Sequence, residues 1–223
     1  MAKVYLSPSD QESNVYAYDN TNEAVQCGRI AEACRAALER SGVDVKVGHM
    51  ISMAQKCSES NAFGADLHVP IHTNAFNGKV MGTRMFCYSA GGKGMAACKA
   101  IFARLAPITP GESENIQVNA DYYEVRVPAA PTAYIECEFH DTVEGAKWIV
   151  ENTVLIGETI ARGICDYFGV KFVEKPKPVE PEKKDVLYRV QIGAYKIKAN
   201  AEKRQAEAKA AGFTDAFIVT VEQ

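Results

Sequence analysis

The octapeptide HVPIHTNA, His68 to Ala75, holds two of the chain's four histidines, four residues apart around a proline. Imidazole is the commonest side-chain ligand of zinc-like metals, so the pair raises metal chemistry at once. If ADLHVPIHT is a strand, His68 and His72 point to one face but stand about 13 Å apart, too far to share one ion. His72, at the C-terminal end of that strand, lies where the ligand crevice of an open α/β sheet forms. His68 reads as a hydrogen-bonded histidine of the core or rim. Pro70 cannot donate to a ladder, so an irregularity is expected there.

The elements that would carry these residues alternate. KVYL, DVKV, ADLHVPIHT, GTRMFCYS and TAYIECEF read as strands. Cys27, Ile30, Ala31, Cys34 and Leu38 share one face of a helix that stops at Gly42, where a left-handed cap fits. Further helices are expected over 94–105 and 153–168. The fold class is therefore α/β, a mostly parallel sheet flanked by helices. One composition shift divides the chain. The three prolines and alternating Lys and Glu of VEKPKPVEPEKKD describe a stiff, solvated spacer, placed at 174–184 between a domain of 1–173 and a tail of 185–223. The tail reads strand, helix, strand, a small βαβ-like module: Val190, Ile192 and Ala194 alternate, Ala199 to Ala211 favours helix, and Ala216 to Val221 returns as a strand.

At 223 residues and 47% apolar content the chain can bury one good core and carry a small appendage. A net charge of −3 gives no long-range attraction to nucleic acid or anionic membranes, so neither is expected as a partner. The opening MAKVYLSPSD lacks the pattern of a secretory signal, and no run of about 18 apolar residues exists. The expectation is synthesis in the cytoplasm and action elsewhere only after release. The seven cysteines include no CxxC pair and sit among apolar residues, which reads as buried, reduced thiols.

These residues resemble the zinc-dependent N-acetylmuramoyl-L-alanine amidases of the amidase-3 type, which include phage endolysins and bacterial autolysins. PIHTN, ending at Asn74, is similar to the family's Ser-Ile-His-x-Asn strand end, and SESNAFGAD to the helix leading into it. The resemblance implies metal ligands at His72 and at Glu23 in NTNEAVQC, and a catalytic glutamate at Glu136 in YIECEFHD. The residues themselves allow more. Glu23 could close a capping box with Asn20, but it also faces the sheet, where a carboxylate needs a partner. Glu136 follows an apolar run, so burial should raise its pKa toward a general base's range. Cys137 and Glu138 should face away from it, and Glu138 stands where the family has glycine.

The chain departs from the family at the first ligand. Where the family has Asp-Pro-Gly-His, this sequence has Ser7, Pro8, Ser9 and Asp10. Asp10 takes the histidine's place and is the expected third ligand, with Gln11 able to reach the same space as a weaker donor. A Zn²⁺ site of Asp10, Glu23 and His72 would be formally neutral and would acidify water less. His140 is a further candidate, as a ligand or as a hydrogen-bond donor to an oxyanion. The implied reaction is hydrolysis of the amide between N-acetylmuramic acid and L-alanine in peptidoglycan.

The tail, with VQIGAY and AGF, resembles the SPOR repeat, which implies peptidoglycan glycan contacts at Tyr188, Gln191 and Tyr195. A full SPOR domain has two such halves and this chain has one. Two tails are therefore expected to pair into a homodimer. Two rival readings follow from the same residues: a wall-binding protein that has lost its metal and its catalysis, and an amidase acting elsewhere on the stem peptide.

Overall fold

The computed structural model describes residues 1–114, 116–176 and 188–221. The chain divides into a unit of Met1–Pro176 and a second of Lys177–Gln223. Most of the expected spacer, 174–184, lies outside the described residues.

The first unit is a six-stranded sheet: β1 (Lys3–Pro8), β2 (Asp44–Val47), β3 (Leu67–Asn74), β4 (Arg84–Cys87), β5 (Gln117–Val118) and β6 (Tyr134–Phe139), in the order β2-β1-β3-β6-β4-β5. All pairs are parallel except β4 with β6, so the mostly parallel α/β class holds with one antiparallel step. Pro70 pairs with Ser7 inside a continuous strand. The irregularity expected at Pro70 is absent there; β3 instead shifts register between His72 and Asn74. In a parallel ladder alternate residues bond to alternate neighbours, so one missing N–H removes a single bond and the strand carries on.

The two faces of this sheet differ in chemistry. Val4, Leu6, Val69, Ile71, Ile135 and Cys137 point into the apolar core. That core is covered by α1 (Glu23–Arg40), α3 (Lys93–Leu105) and α5 (Val143–Phe168). Alternation puts Tyr5, Ser7, His68, His72, Tyr134 and Glu136 on the opposite face, beside α2 (Met53–Phe63) and α4 (Tyr123–Arg126). Two glycines let α5 come close: a Cβ on Gly157 would lie 2.5 Å from the Ile30 carbonyl, and one on Gly163 2.5 Å from the Ile101 Cα. α5 starts ten residues earlier than the sequence suggests. Its backbone breaks at Asn152 (φ −125°, ψ 20°), where the expected helix would have begun. α1 ends as expected, with Gly42 at φ +82°. All seven cysteines are free and buried.

In the second unit α6 (Lys198–Ala210) is the expected helix. The flanking segments 188–197 and 213–221 form no ladder, although strands are expected there from their alternation. A strand with no partner cannot satisfy its backbone, and a single repeat supplies none. Val190 and Phe217 are consequently 90% and 69% exposed. No helix among the described residues is long and apolar enough to cross a membrane.

Candidate active site

Glu23 opens α1. Asn22 accepts from the Val25 N–H and caps the helix, which frees the Glu23 side chain to turn toward the sheet. The capping box with Asn20 does not form. The loop from Ser9 to Asn22 reverses through Asp19 and Asn20, both at positive φ, and the Val15–Asn22 bridge pins it over the start of the helix.

Glu23 and His72 meet. Glu23 Oε1 accepts from His72 Nδ1 at 2.9 Å and from the Thr73 N–H at 3.4 Å, and Oε2 accepts from Asn14 Nδ2 at 2.6 Å. Burial pushes the Glu23 carboxyl up, but the imidazole and the Asn14 amide outweigh it and hold it below the usual range. Burial likewise opposes a charged His72, and the bond to Glu23 and the charge of Glu136 override it, so its pKa is raised.

Glu136 stands opposite His72 in the β3–β6 ladder. Burial pushes its carboxyl up to about 7, with His72 pulling the other way and Glu23 adding to the rise. Tyr134, two residues earlier on the same face, stacks on His72 with ring centroids 4.7 Å apart. His72 and Glu136 are 8% and 9% exposed whereas His68 is 0%, so it is His72 that meets solvent.

The third expected ligand lies elsewhere. Asp10 Oδ2 is 2.6 Å from Lys56 Nζ, and Oδ1 accepts from the Met50 N–H at 2.6 Å with His49 Nε2 at 3.6 Å. Lys56 is almost fully buried and also donates to the Pro8 carbonyl, so its charge claims the Asp10 carboxylate. Gln11 occupies the space instead. Its Nε2 is 3.4 Å from His72 Nδ1, and its Oε1 accepts from Asn14 Nδ2 at 2.9 Å. Asn14 thus bridges Gln11 and Glu23.

His140 joins neither carboxylate. It stacks on Tyr16 at 4.9 Å, and its Nδ1 is 3.0 Å from the Thr73 hydroxyl, which also meets the Tyr16 hydroxyl at 2.8 Å. Its backbone carbonyl accepts from Ala17, so it anchors the Ser9–Asn22 loop to the end of β6. Asn74 turns its side-chain oxygen onto the Ala75 N–H. Glu138 faces Gly82, and Oε1 accepts from the Gly82 and Phe139 N–H groups. In the second unit Tyr188 and Tyr195 are exposed, and Gln191 donates to the Gly193 carbonyl at 3.3 Å.

A carboxylate and an imidazole converge here, donors that suit a divalent cation of the zinc type, with the Gln11 amide beside them. His72 Nε2 and Glu136 Oε2 are both buried without a hydrogen-bond partner among the described residues, so each fits a further polar or cationic contact. Sequence reasoning missed Asn14, Lys56 and Tyr134. Tyr134 could have been found from its period-2 relation to Glu136. Asn14 and Lys56 act through a loop path and a buried ion pair that no periodicity encodes.

The family model for N-acetylmuramoyl-L-alanine amidases of the amidase-3 type matches residues 9–166, and that for the SPOR domain matches residues 171–222. The sporulation-specific N-acetylmuramoyl-L-alanine amidase of Bacillus subtilis strain 168 is 26% identical over 226 residues, covering 98% of this chain and 85% of the relative. The N-acetylmuramoyl-L-alanine amidase CwlM of Bacillus licheniformis has the same identity and coverage. Among solved structures, the catalytic domain of CwlV from Bacillus (Paenibacillus) polymyxa superposes with a TM-score of 0.68 at 16% identity, over 77% of this chain and 100% of that one. AmiC2 of Nostoc punctiforme gives 0.66 at 18%, over 75% of this chain and 97% of that one.

Proposed function

Since the chain belongs to the N-acetylmuramoyl-L-alanine amidase family, we propose that it hydrolyses the amide between the lactyl group of N-acetylmuramic acid and L-alanine in peptidoglycan, with Zn²⁺ as cofactor. Glu23, His72 and Gln11 would hold the ion. When bound, it would supply Lewis-acid polarisation of the scissile carbonyl and acidify water beside it. With Gln11 in place of Asp10 the set carries one negative charge rather than two. The net charge at the ion is then +1, and the loss of acidity implied by an aspartate ligand does not arise.

The observation that carries this reading is the Glu23–His72 contact at 2.9 Å with Glu136 alongside in the neighbouring strand. Glu136 takes the proton of the attacking water on a carboxylate oxygen and returns it to the departing alanine nitrogen. Burial, which raises the affinity of Glu136 for that proton, suits it to both transfers. Tyr134 packs against the His72 ring and keeps it from rotating. Asn14 fixes the Gln11 amide and the Glu23 carboxylate relative to each other.

The tail serves as a wall-binding module, with glycan contacts at Tyr188, Gln191 and Tyr195, and two tails pair to complete one SPOR unit. The unladdered segments and their exposed apolar residues support pairing. Mass spectrometry of digested peptidoglycan tests the activity. Free stem peptides with N-terminal alanine are expected. Unchanged muropeptides would favour the non-catalytic wall-binding reading, and cuts within the stem peptide would favour another specificity.

A further inference from the structure

His68, the other histidine of β3, is fully buried on the same face as His72 and does not merely fill the core. Its Nε2 is 3.3 Å from Glu124 Oε1, and the ring stacks on Tyr5 at 5.4 Å. Cys57 of α2 completes a group with Glu124 of α4: one ligand atom from each of Cys57, His68 and Glu124 lies within 4.8 Å of the other two. All three residues are at most 2% exposed. From these contacts we infer that Cys57, His68 and Glu124 form a second, structural site for a zinc-like cation, distinct from the one at Glu23 and His72.

Distance, charge and ligand type all support this site. Tetrahedral zinc holds its ligand atoms roughly 3.3–3.8 Å apart, so the cluster needs only a small contraction to close on an ion. A thiolate and a carboxylate around a divalent cation sum to zero charge, which suits a site removed from water. Without a cation, the negative Glu124 has as neighbours in the cluster only the His68 ring and the Ser7 hydroxyl that donates to it. Sulfur and imidazole select zinc-like metals over magnesium or calcium. The surroundings also hold polar atoms with no partner: His68 Nδ1 and, one turn along α2 from Cys57, Ser60 Oγ are buried and unbonded among the described residues. Because Cys57, His68 and Glu124 come from α2, β3 and α4, an ion there would fasten both helices to the polar face of the sheet. Three protein groups leave the fourth position of a tetrahedral ion to a small ligand such as water, and a buried set of this kind is loaded as the chain folds.

The site is independent of amide hydrolysis, and its test is too. The full-length protein would be produced in cobalt-supplemented minimal medium, and its metal content and near-ultraviolet absorption measured. Sulfur-to-cobalt charge transfer gives a near-ultraviolet band that Glu23, His72 and Gln11, which offer only nitrogen and oxygen, cannot produce. The band and two metal equivalents per chain are expected. In a Glu23→Ala/His72→Ala variant the band should persist while the count falls to one. In Cys57→Ser the band should vanish and the count again fall to one, with His68→Gln as a second variant should Cys57→Ser fail to fold. A wild-type spectrum without the band, or a band that survives Cys57→Ser, overturns the inference, whatever the peptidoglycan digest shows.

Discussion

His72 and Glu136 stand side by side in neighbouring parallel strands, on the polar face of a sheet whose other face packs the apolar core. One strand pair therefore supplies both the imidazole that meets Glu23 and the carboxylate proposed as the proton acceptor. Replacing Glu136 with Gln keeps the shape and removes the proton acceptor. Amide hydrolysis should fall by about 10²–10⁴-fold with metal content unchanged, as turnover assays and metal analysis on the same preparation would show.

Asp10 and Gln11 are adjacent in sequence, and only Gln11 is proposed to hold the ion. Gln11→Ala should weaken zinc binding, measured by competition with a chelating dye, whereas Asp10→Asn should leave it intact. Asp10→Asn strands the buried Lys56 charge, so a stability loss on the order of 3 kcal/mol is expected in denaturant melts. Loss of zinc in Asp10→Asn with normal binding in Gln11→Ala would reverse the assignment.

Gly157 lets α5 lie against α1, and a methyl group there would press on the Ile30 carbonyl at 2.5 Å. Gly157→Ala should destabilise the first unit by about 1–3 kcal/mol through overpacking, despite alanine's better helix propensity. A melting temperature unchanged or raised would show that the helices have room to part.

Burial pushes the Glu138 carboxyl up to about 7, above its value in an unfolded chain, against the pull of its two backbone donors and Arg84. The folded state thus holds this proton more tightly. The contribution to stability is complete below the unfolded pKa of about 4.3 and is lost as pH rises through 7. Thermal melts from pH 5 to 8 should show wild type losing on the order of 1–2 kcal/mol more than Glu138→Gln across that range. Parallel curves would remove Glu138 as the cause.

Pairing of the tails predicts a dimer for the whole chain and a monomer for a chain shortened to end at Lys171. Light scattering distinguishes them, and equal monomer masses would end the pairing proposal.

Much of this arrangement was legible in the sequence because it rests on short periods. The alternation around His68 and His72 gives their shared face, and their spacing gives two places rather than one. The face of α1 marked by Cys27, Ile30 and Cys34 gives the inward direction of Glu23. What escaped depends on charge and loop path. Asp10 sits where the missing histidine would be, yet Lys56, 46 residues away and almost fully buried, takes its carboxylate. Asn14 reaches Gln11 and Glu23 only because Asp19 and Asn20 turn the loop back. The tail's alternation promised strands, but alternation describes what a strand would bury and not whether a partner is present.

The most direct test is a crystal of the zinc-loaded protein measured at the zinc absorption edge. Anomalous density about 2.0–2.2 Å from donor atoms of Glu23, His72 and Gln11, with Glu136 alongside and Asp10 still on Lys56, is the expected result. Zinc bound through Asp10, or no density between Glu23 and His72 in the presence of the metal, would contradict it.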